Sequence, residues 1–289
     1  MQLKTIFICF LLFLLPGVLA AARASEISDE CIQISNKLAS VGYDECMQRD
    51  LQTSDGRSVN NIPILIREYP PLPDHRKPLG RVLLIGGIHG DEYSSVSVVF
   101  KWMKILDLHH SGKFHWHIVP LLNPDGLLQK DSQRMNANGV DLDRNFPVPD
   151  SDQEAYRYWV EKTGSDPRLY PGEQLASEPE VQWLVNEIES FKPDVIVSLH
   201  APYDMVDYPG TANVPHKIGH LNLNLPGTWP GSLARFAGVT RNIAIISIEL
   251  PFAEIMPTFN QVNDIWLDLV KRLDQQLSDT AVTQTDQEH

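Results

Sequence analysis

Short, strongly apolar runs alternate with amphipathic segments along most of the chain. RVLLIG (81–86), DVIVSL (194–199) and IAIISIEL (243–250) are almost continuously apolar, as expected of strands buried on both faces of a sheet. VNNIPILIR (59–67) and FHWHIVP (114–120) also read as strands, and helices are expected over 91–106, 179–190, 231–238 and 259–277. This alternation predicts an α/β fold with a mixed, mostly parallel sheet covered by helices on both faces.

The first 24 residues have the pattern of a secretory signal peptide. A positive start, MQLK, precedes the apolar stretch TIFICFLLFLLPGVLA, and Ala22-Arg23-Ala24 provides a small-x-small cleavage signal, with Ala20 as the alternative. A membrane anchor is the rival interpretation, but the run is short for a spanning helix and no later stretch could cross a bilayer. We therefore expect a soluble, exported protein, either periplasmic or secreted.

The rest of the chain is expected to form one domain with two appendages. Residues 25–58 would be an N-terminal segment containing a short helix, 59–277 the main domain, and the polar, aperiodic 278–289 a flexible tail. Cys31 and Cys46 remain after cleavage. An oxidising compartment favours a disulfide between them over two free buried thiols.

The charge balance argues against nucleic acid as a partner. The chain has 24 Lys and Arg against 37 Asp and Glu, a net charge of −13, and signal cleavage would remove Lys4 and Arg23. No basic surface suited to phosphate binding is visible in the sequence.

Four polar side chains fall at the ends of predicted strands. His89 and Glu92 lie in GGIHGDE (86–92), directly after the first buried strand, and His200 and Glu249 end two others. Ligands collect at the carboxyl ends of such strands, and two imidazoles with one carboxylate form a common catalytic zinc set. Glu249 would then be the proton acceptor. Each residue also has an ordinary structural explanation, but their convergence favours one Zn²⁺ ion.

The chain resembles the M14 family of zinc carboxypeptidases over residues 59–275. The motifs that carry the resemblance occur in the family's order: GGIHGDE, NPDG (123–126), NANGVDLDRNFP (136–147), SLHAP (198–202) and ISIELP (246–251). It implies a zinc carboxypeptidase-like fold and an enzyme that cleaves an amide next to a terminal carboxylate. It also implies specific roles: zinc ligands His89, Glu92 and His200, general base Glu249, and carboxylate-binding Arg134 and Arg144.

The two arginines make chemical sense in those roles. A guanidinium fork grips a carboxylate in a bidentate way, and Arg134 would in addition stabilise the oxyanion. The alternative for Arg144 is a structural ion pair with Asp141 or Asp143.

Within the family, DLDRNFP, HAP and the compact chain look closest to the murein peptide amidases. These cut the bond between γ-D-glutamate and meso-diaminopimelate, and are usually regarded as cytoplasmic, so a signal peptide is a departure. A second departure is Asp143, where the family usually has Asn. An ionised Asp cannot donate to a substrate carboxylate, so Asp143 either buttresses Arg144 or meets a substrate ammonium. Tyr203 and Tyr208 are both candidates to line the pocket.

The sequence thus predicts a zinc-dependent metallopeptidase acting on peptidoglycan stem peptides. The first alternative is a general metallocarboxypeptidase that trims the C-termini of peptides or proteins; a relative of the deacylases that share the zinc motif fits the other motifs less well. The second alternative is a catalytically silent cell-wall-binding module. It is less favoured because Glu249 and all three candidate ligands are present.

Overall fold

The structure, a computed structural model, describes residues 23–73, 77–149, 152–209 and 214–287. All but the last two residues of the predicted signal peptide lie outside these ranges. No helix among the described residues is both long enough and apolar enough to cross a membrane.

The described residues contain seven α-helices and nine strands, besides two short 3₁₀-helices and one π-helix. The helices are α1 (23–37), α2 (Tyr43–Met47), α3 (Tyr93–His109), α4 (Pro124–Leu128), α5 (Asp152–Thr163), α6 (Pro179–Phe191) and α7 (Phe259–Gln287). The strands are β1 (Gln52–Arg57), β2 (Pro63–Tyr69), β3 (Gly80–Ile85), β4 (Phe114–Val119), β5 (Val195–His200), β6 (Met205–Asp207), β7 (Lys217–Ile218), β8 (Leu221–Leu223) and β9 (Ala244–Glu249). They form one sheet in the order β1-β2-β4-β3-β5-β9-β6-β8-β7.

The α/β fold with a large mixed sheet agrees with the expectation, but the parallel majority does not. The central strands β4, β3, β5 and β9 run parallel to one another, and β6 pairs in parallel with β8. β1, β2 and β4 pair antiparallel on one side, and β6 and β7 add antiparallel pairs on the other, giving four pairs of each kind among the described strands. The pairs β1–β2 and β7–β8 are antiparallel because each is joined by a short turn, which cannot contain the helical crossover that parallel pairing needs.

The three strands that end at or just before candidate site residues follow the sequence closely. β3, β5 and β9 coincide with the three apolar runs, and the β5–β9 ladder places His200 directly beside Glu249. The strand predicted over 59–67 was wrong at its start. Residues 58–62 form a turn, in which Asn61 takes a positive φ. The helix expected over 231–238 is instead a short helical turn ending in the π-helix Arg235–Thr240.

Two hydrophobic clusters are divided between alternate residues of the central strands. Val82 and Leu84 of β3 belong to a cluster that also contains buried side chains of α3 and α7. Leu83 and Ile85 belong to a second cluster with buried side chains of α6. Because successive residues of a strand point to opposite faces, both faces of β3 are packed, which explains its uninterrupted apolar sequence.

The N-terminal segment is fastened to the main sheet. A disulfide joins Cys31 of α1 to Cys46 of α2, and both half-cystines are buried in the first cluster. Lys101 of α3 forms an ion pair with Glu45 of α2 at 2.8 Å. β1 then pairs with β2, so this segment continues directly into the sheet. At the other end of the chain, α7 continues as helix through Gln287, beyond the expected end at residue 277.

Candidate metal centre and substrate cavity

Three candidate ligands meet at the carboxyl edge of the sheet. The Nδ1 atom of His89 lies 2.8 Å from Glu92 Oε1 and 3.3 Å from His200 Nδ1, which is itself 3.4 Å from Glu92 Oε2. All three side chains are buried, and one ligand atom from each lies within 4.8 Å of the others. The predicted convergence of these residues is thus found in the structure.

The second nitrogen of each imidazole is held by a neighbouring side chain. His89 Nε2 lies 3.1 Å from Asp141 Oδ1, and His200 Nε2 lies 2.8 Å from Ser198 Oγ. Metal-binding histidines usually have such a partner, which fixes the ring orientation and leaves the other nitrogen free to bind the ion. Both Nδ1 atoms are therefore aimed at the same point.

The donor set fits a zinc ion. Glu92 is the N-cap residue of α3, yet its side chain makes no capping bond and turns toward the histidines instead. Burial opposes ionisation of Glu92, but His89 and His200 outweigh it and hold the pKa of this carboxyl well below its usual range. Glu92 Oε2 is buried without a hydrogen-bond partner of good geometry among the described residues. A buried, ionised carboxylate with an unused oxygen between two oriented imidazoles is the chemistry of a zinc site.

Glycine allows the ligand loop to approach the NPDG segment closely. A Cβ atom on Gly90 would lie 2.2 Å from the carbonyl carbon of Gly126, so neither backbone could keep its place. The side chain of Asn123 joins the two segments by donating to the carbonyls of Ile88 and Arg134, at 3.3 and 3.0 Å. The NPDG motif therefore positions the backbone of Arg134 beside the ligand loop.

Asp141 connects the candidate metal site to both predicted arginines. Its Oδ2 accepts a hydrogen bond from Arg134 Nε at 2.9 Å and lies 3.3 Å from Arg144 Nε. Its Oδ1 accepts from the Asp143 backbone N–H as well as facing His89. Burial opposes ionisation, but the arginines and His89 keep the pKa of Asp141 far below its usual range. The alternative that Arg144 pairs with Asp141 is thus also found, without removing Arg144 from the cavity wall.

Glu249 lies beside the ligands at the end of β9. Its Oε2 atom is buried and has no hydrogen-bond partner among the described residues. The pKa of Glu249 is raised to about 7, mainly by burial and also by Glu92, against the opposing effects of His200, His89 and Arg134. A carboxyl with a pKa near neutrality can both accept and return a proton at physiological pH.

A cavity of about 440 Å³ opens over these residues. It is lined by all seven residues that the sequence analysis assigned to the site: His89, Glu92, Arg134, Asp143, Arg144, His200 and Glu249. Of the two candidate tyrosines, Tyr203 lines the cavity and is exposed, whereas Tyr208 is buried in the first cluster.

Asp143 faces the loop 227–234 more than it faces Arg144. Its Oδ1 accepts a hydrogen bond from the Leu233 backbone N–H at 2.9 Å, and its own carbonyl accepts from Trp229 Nε1 at 3.0 Å. Burial raises its pKa, with Asp141 adding to the shift and the histidines opposing it. Asp143 therefore fastens this loop to the arginine segment.

The sequence reasoning missed several residues of the site. Ser198 stands two residues before His200 on the same face of β5, so the period of two could have identified it. Asp141 was considered only as a partner of Arg144, although its place in the arginine motif was visible. The cavity wall from Met205 to Ala234 gave no signal, because its strands are too short for any periodicity.

Comparison with known proteins is consistent with this geometry. The family model described as zinc carboxypeptidase (Peptidase_M14) matches residues 50–221, which include every candidate site residue except Glu249. Murein peptide amidase A of Vibrio campbellii is 30% identical over 210 residues, 69% of this chain and 79% of that protein. The protein of the same name in Escherichia coli K12 is 35% identical over 156 residues, which cover 53% of this chain and 60% of that protein.

A solved structure supports the same relationship. The murein-tripeptide amidase MpaA from Escherichia coli O157 superimposes with a TM-score of 0.51 and 26% identity, covering 77% of this chain and 89% of that chain. The match to the family model spans more than half of the chain, and its motifs stand where the sheet edge brings them together. The chain therefore belongs to the zinc carboxypeptidase family, M14, and is a hydrolase of that family.

Proposed function

We propose that this protein is an exported, zinc-dependent amidase that releases meso-diaminopimelate from γ-D-glutamyl peptides of peptidoglycan. The observation that carries the proposal is that a His₂Glu set, the carboxyl of Glu249 and two guanidiniums line one cavity. The names of the relatives at 30% and 35% identity support the substrate class. The predicted signal peptide supports the location, where cell-wall peptides are encountered.

One zinc ion would be held by His89 Nδ1, Glu92 and His200 Nδ1. When bound, such an ion lowers the pKa of water and polarises a carbonyl group. Asp141 and Ser198 would keep the two rings in the orientation that this binding needs.

Glu249 would accept the proton of the attacking water and then deliver it to the departing amine. Its raised pKa suits both transfers near neutral pH. Arg134 would stabilise the negative charge that develops on the carbonyl oxygen, since its guanidinium reaches to within 3.4 Å of Glu92 Oε1 beside the ligands. Arg144 would bind the free carboxylate next to the bond that is cut.

The proposal is tested by mass spectrometry of L-Ala-γ-D-Glu-meso-diaminopimelate incubated with purified protein, with and without a chelator. We expect release of free diaminopimelate that stops on chelation and returns with zinc. Glu249→Gln should lower kcat by about 10²- to 10⁴-fold while keeping the metal. Glu254→Gln, which removes an exposed carboxylate five residues further on, is the matched control and should behave like wild type.

The alternatives predict different results. Cleavage of ordinary α-linked dipeptides but not of the γ-D-glutamyl tripeptide would indicate a general metallocarboxypeptidase. Zinc-loaded protein that cleaves neither class would indicate a silent wall-binding module. Export is tested separately by cell fractionation and by the N-terminal sequence of the mature protein, which should begin at Ser25.

A further inference from the structure

One face of the strand pair β6–β9 forms a wall of the cavity. β9 contributes Ile245, Ser247 and Glu249, every second residue, and antiparallel β6 contributes Met205 and Asp207. In this ladder Met205 pairs with Glu249, and Asp207 pairs with Ser247. Residues on one face of a strand repeat every roughly 7 Å. Asp207 therefore lies roughly 7 Å further along the strands than Met205, the residue that pairs with Glu249.

Asp207 is a buried carboxylate, and none of the described residues forms an ion pair with it. Asp207 is only 6% exposed. Among the described residues its carboxylate accepts one hydrogen bond, from the Tyr208 backbone N–H at 2.8 Å. Burial raises its pKa to about 6, opposed only by that backbone contact. Buried carboxylates are normally paired, because an unpaired one is costly to remove from water.

The arginines that line the cavity do not neutralise Asp207. Arg134 and Arg144 both lie against Asp141, and Arg134 also approaches Glu92. The cavity thus offers guanidiniums to one part of a ligand and an uncompensated carboxylate to another part. A ligand with a free carboxylate and a separate cationic group would complement both.

We infer that Asp207 is a specificity residue that binds the side-chain ammonium of a diamino acid on the leaving side of the bond. This inference rests on the proposed function, because it assigns the wall of the same cavity. Lysine and meso-diaminopimelate both carry an ammonium on the ε-carbon, four carbon–carbon bonds from Cα, or roughly 5 Å when extended. That reach is comparable to the step between Glu249 and the level of Asp207 and Ser247.

This assignment separates Asp207 from Asp143, the other acid of the cavity. Asp143 is engaged by the Leu233 backbone N–H and stands in the same segment as Arg144, close to where the substrate carboxylate would bind. Asp207 belongs to β6, whereas Asp143 lies in a short helical turn, and no described loop is hydrogen-bonded to the Asp207 side chain in that way. The ammonium is therefore expected at Asp207.

The test compares three peptides, L-Ala-γ-D-Glu-X, in which X is meso-diaminopimelate, L-lysine or L-norleucine. Norleucine has the carbon chain of lysine without the ammonium. We expect wild-type kcat/KM to be at least tenfold higher for the lysine peptide than for the norleucine peptide, and Asp207→Asn to reduce that ratio at least tenfold. Asp204→Asn, an exposed acid that does not line the cavity, is the matched control and should leave the ratio unchanged.

Each outcome bears on one hypothesis. A wild-type ratio near one, or an equal loss on all three peptides in Asp207→Asn, would overturn the role of Asp207. The diaminopimelate peptide then shows whether its extra distal carboxylate is accepted. If the wild type cuts none of the three, the proposed function fails, and the same ratio is measured with α-linked benzoylglycyl-lysine and benzoylglycyl-norleucine. Calorimetric binding of free lysine and norleucine gives the same comparison without turnover.

Discussion

Replacing Asp141 with Asn should weaken zinc binding much more than substrate binding. The wild-type carboxylate uses Oδ1 for His89 Nε2 at 3.1 Å and for the Asp143 N–H at 3.0 Å, and Oδ2 for Arg134 Nε at 2.9 Å and Arg144 Nε at 3.3 Å. An Asn amide has the same shape but only one acceptor oxygen. One pair of these donors must therefore face an NH₂ group.

The cations decide which way the amide turns. Two guanidiniums attract the remaining oxygen more strongly than one neutral imidazole N–H and one backbone N–H do. The NH₂ group is then directed at His89, which loses the partner that orients its ring. Loss of such a partner typically costs 10- to 100-fold in metal affinity, or about 1.4–2.7 kcal/mol. The arginines keep an oxygen between them, so we expect KM at saturating zinc to change less than about threefold.

Zinc affinity is measured by competition with a chromophoric chelator, and KM with the γ-D-glutamyl tripeptide. Asp125→Asn is the matched control, since Asp125 is also buried and accepts hydrogen bonds from Ser58 and Asn60, but does not line the cavity. Zinc affinity within twofold of wild type in Asp141→Asn would refute the reasoning. So would a tenfold rise in KM with unchanged zinc affinity, which would mean that Asp141 acts mainly through the arginines.

Three further predictions concern stability and local packing. Replacing Cys31 and Cys46 with Ala should lower the free energy of unfolding by about 3 kcal/mol, because the disulfide closes a loop with a sequence separation of 15. Urea denaturation measures this free energy, and an unchanged value would contradict the prediction. Gly90→Ala should abolish zinc binding in a chelator assay, because its Cβ would collide with the backbone of α4, whereas Gly42→Ala has open space and should be tolerated. Asp207→Asn should leave the melting temperature unchanged below pH 4 and raise it above pH 6. The pKa of the wild-type carboxyl is raised in the folded state, so the free energy of unfolding of the wild type falls by about 1–3 kcal/mol as pH rises from 4 to 6. A difference in melting temperature between variant and wild type that is the same at all pH values would contradict this prediction.

The sequence was most informative where burial imposed a regular pattern. β3, β5 and β9 are packed on both faces or paired on both sides, so each is an apolar run whose end predicts the end of the strand. Those strand ends correctly predicted that His200 and Glu249 lie side by side. The strand-end predictions required only the local pattern and the rule that parallel strands end at a common edge. The roles of Arg134 and Arg144 came from the resemblance to the M14 family.

The cavity wall formed by β6 and β9 could not be predicted in the same way. β6 has three residues and β7 has two, too few for an alternation to be recognised. The importance of Asp207 depends on which strand pairs with β9 and on the absence of a nearby cation among the described residues, both of which are tertiary properties. Polar β1 was missed for a related reason, because its pairing with β2 is decided by the turn between them.

The loop 227–234 is attached to the arginine segment at several points. Phe146 N–H donates to the Gly231 carbonyl at 2.8 Å, and a Cβ on Gly231 would lie 2.0 Å from the Arg144 carbonyl oxygen. Together with the hydrogen bonds from Leu233 and Trp229 to Asp143, these contacts hold the loop rigidly against the arginine segment. Such a wall is preorganised: little conformational entropy is lost when a ligand enters, so affinity is set by the fit of the side chain rather than by loop closure. Substrate range in this enzyme should accordingly change by substitution of individual wall residues, with backbone mobility contributing little.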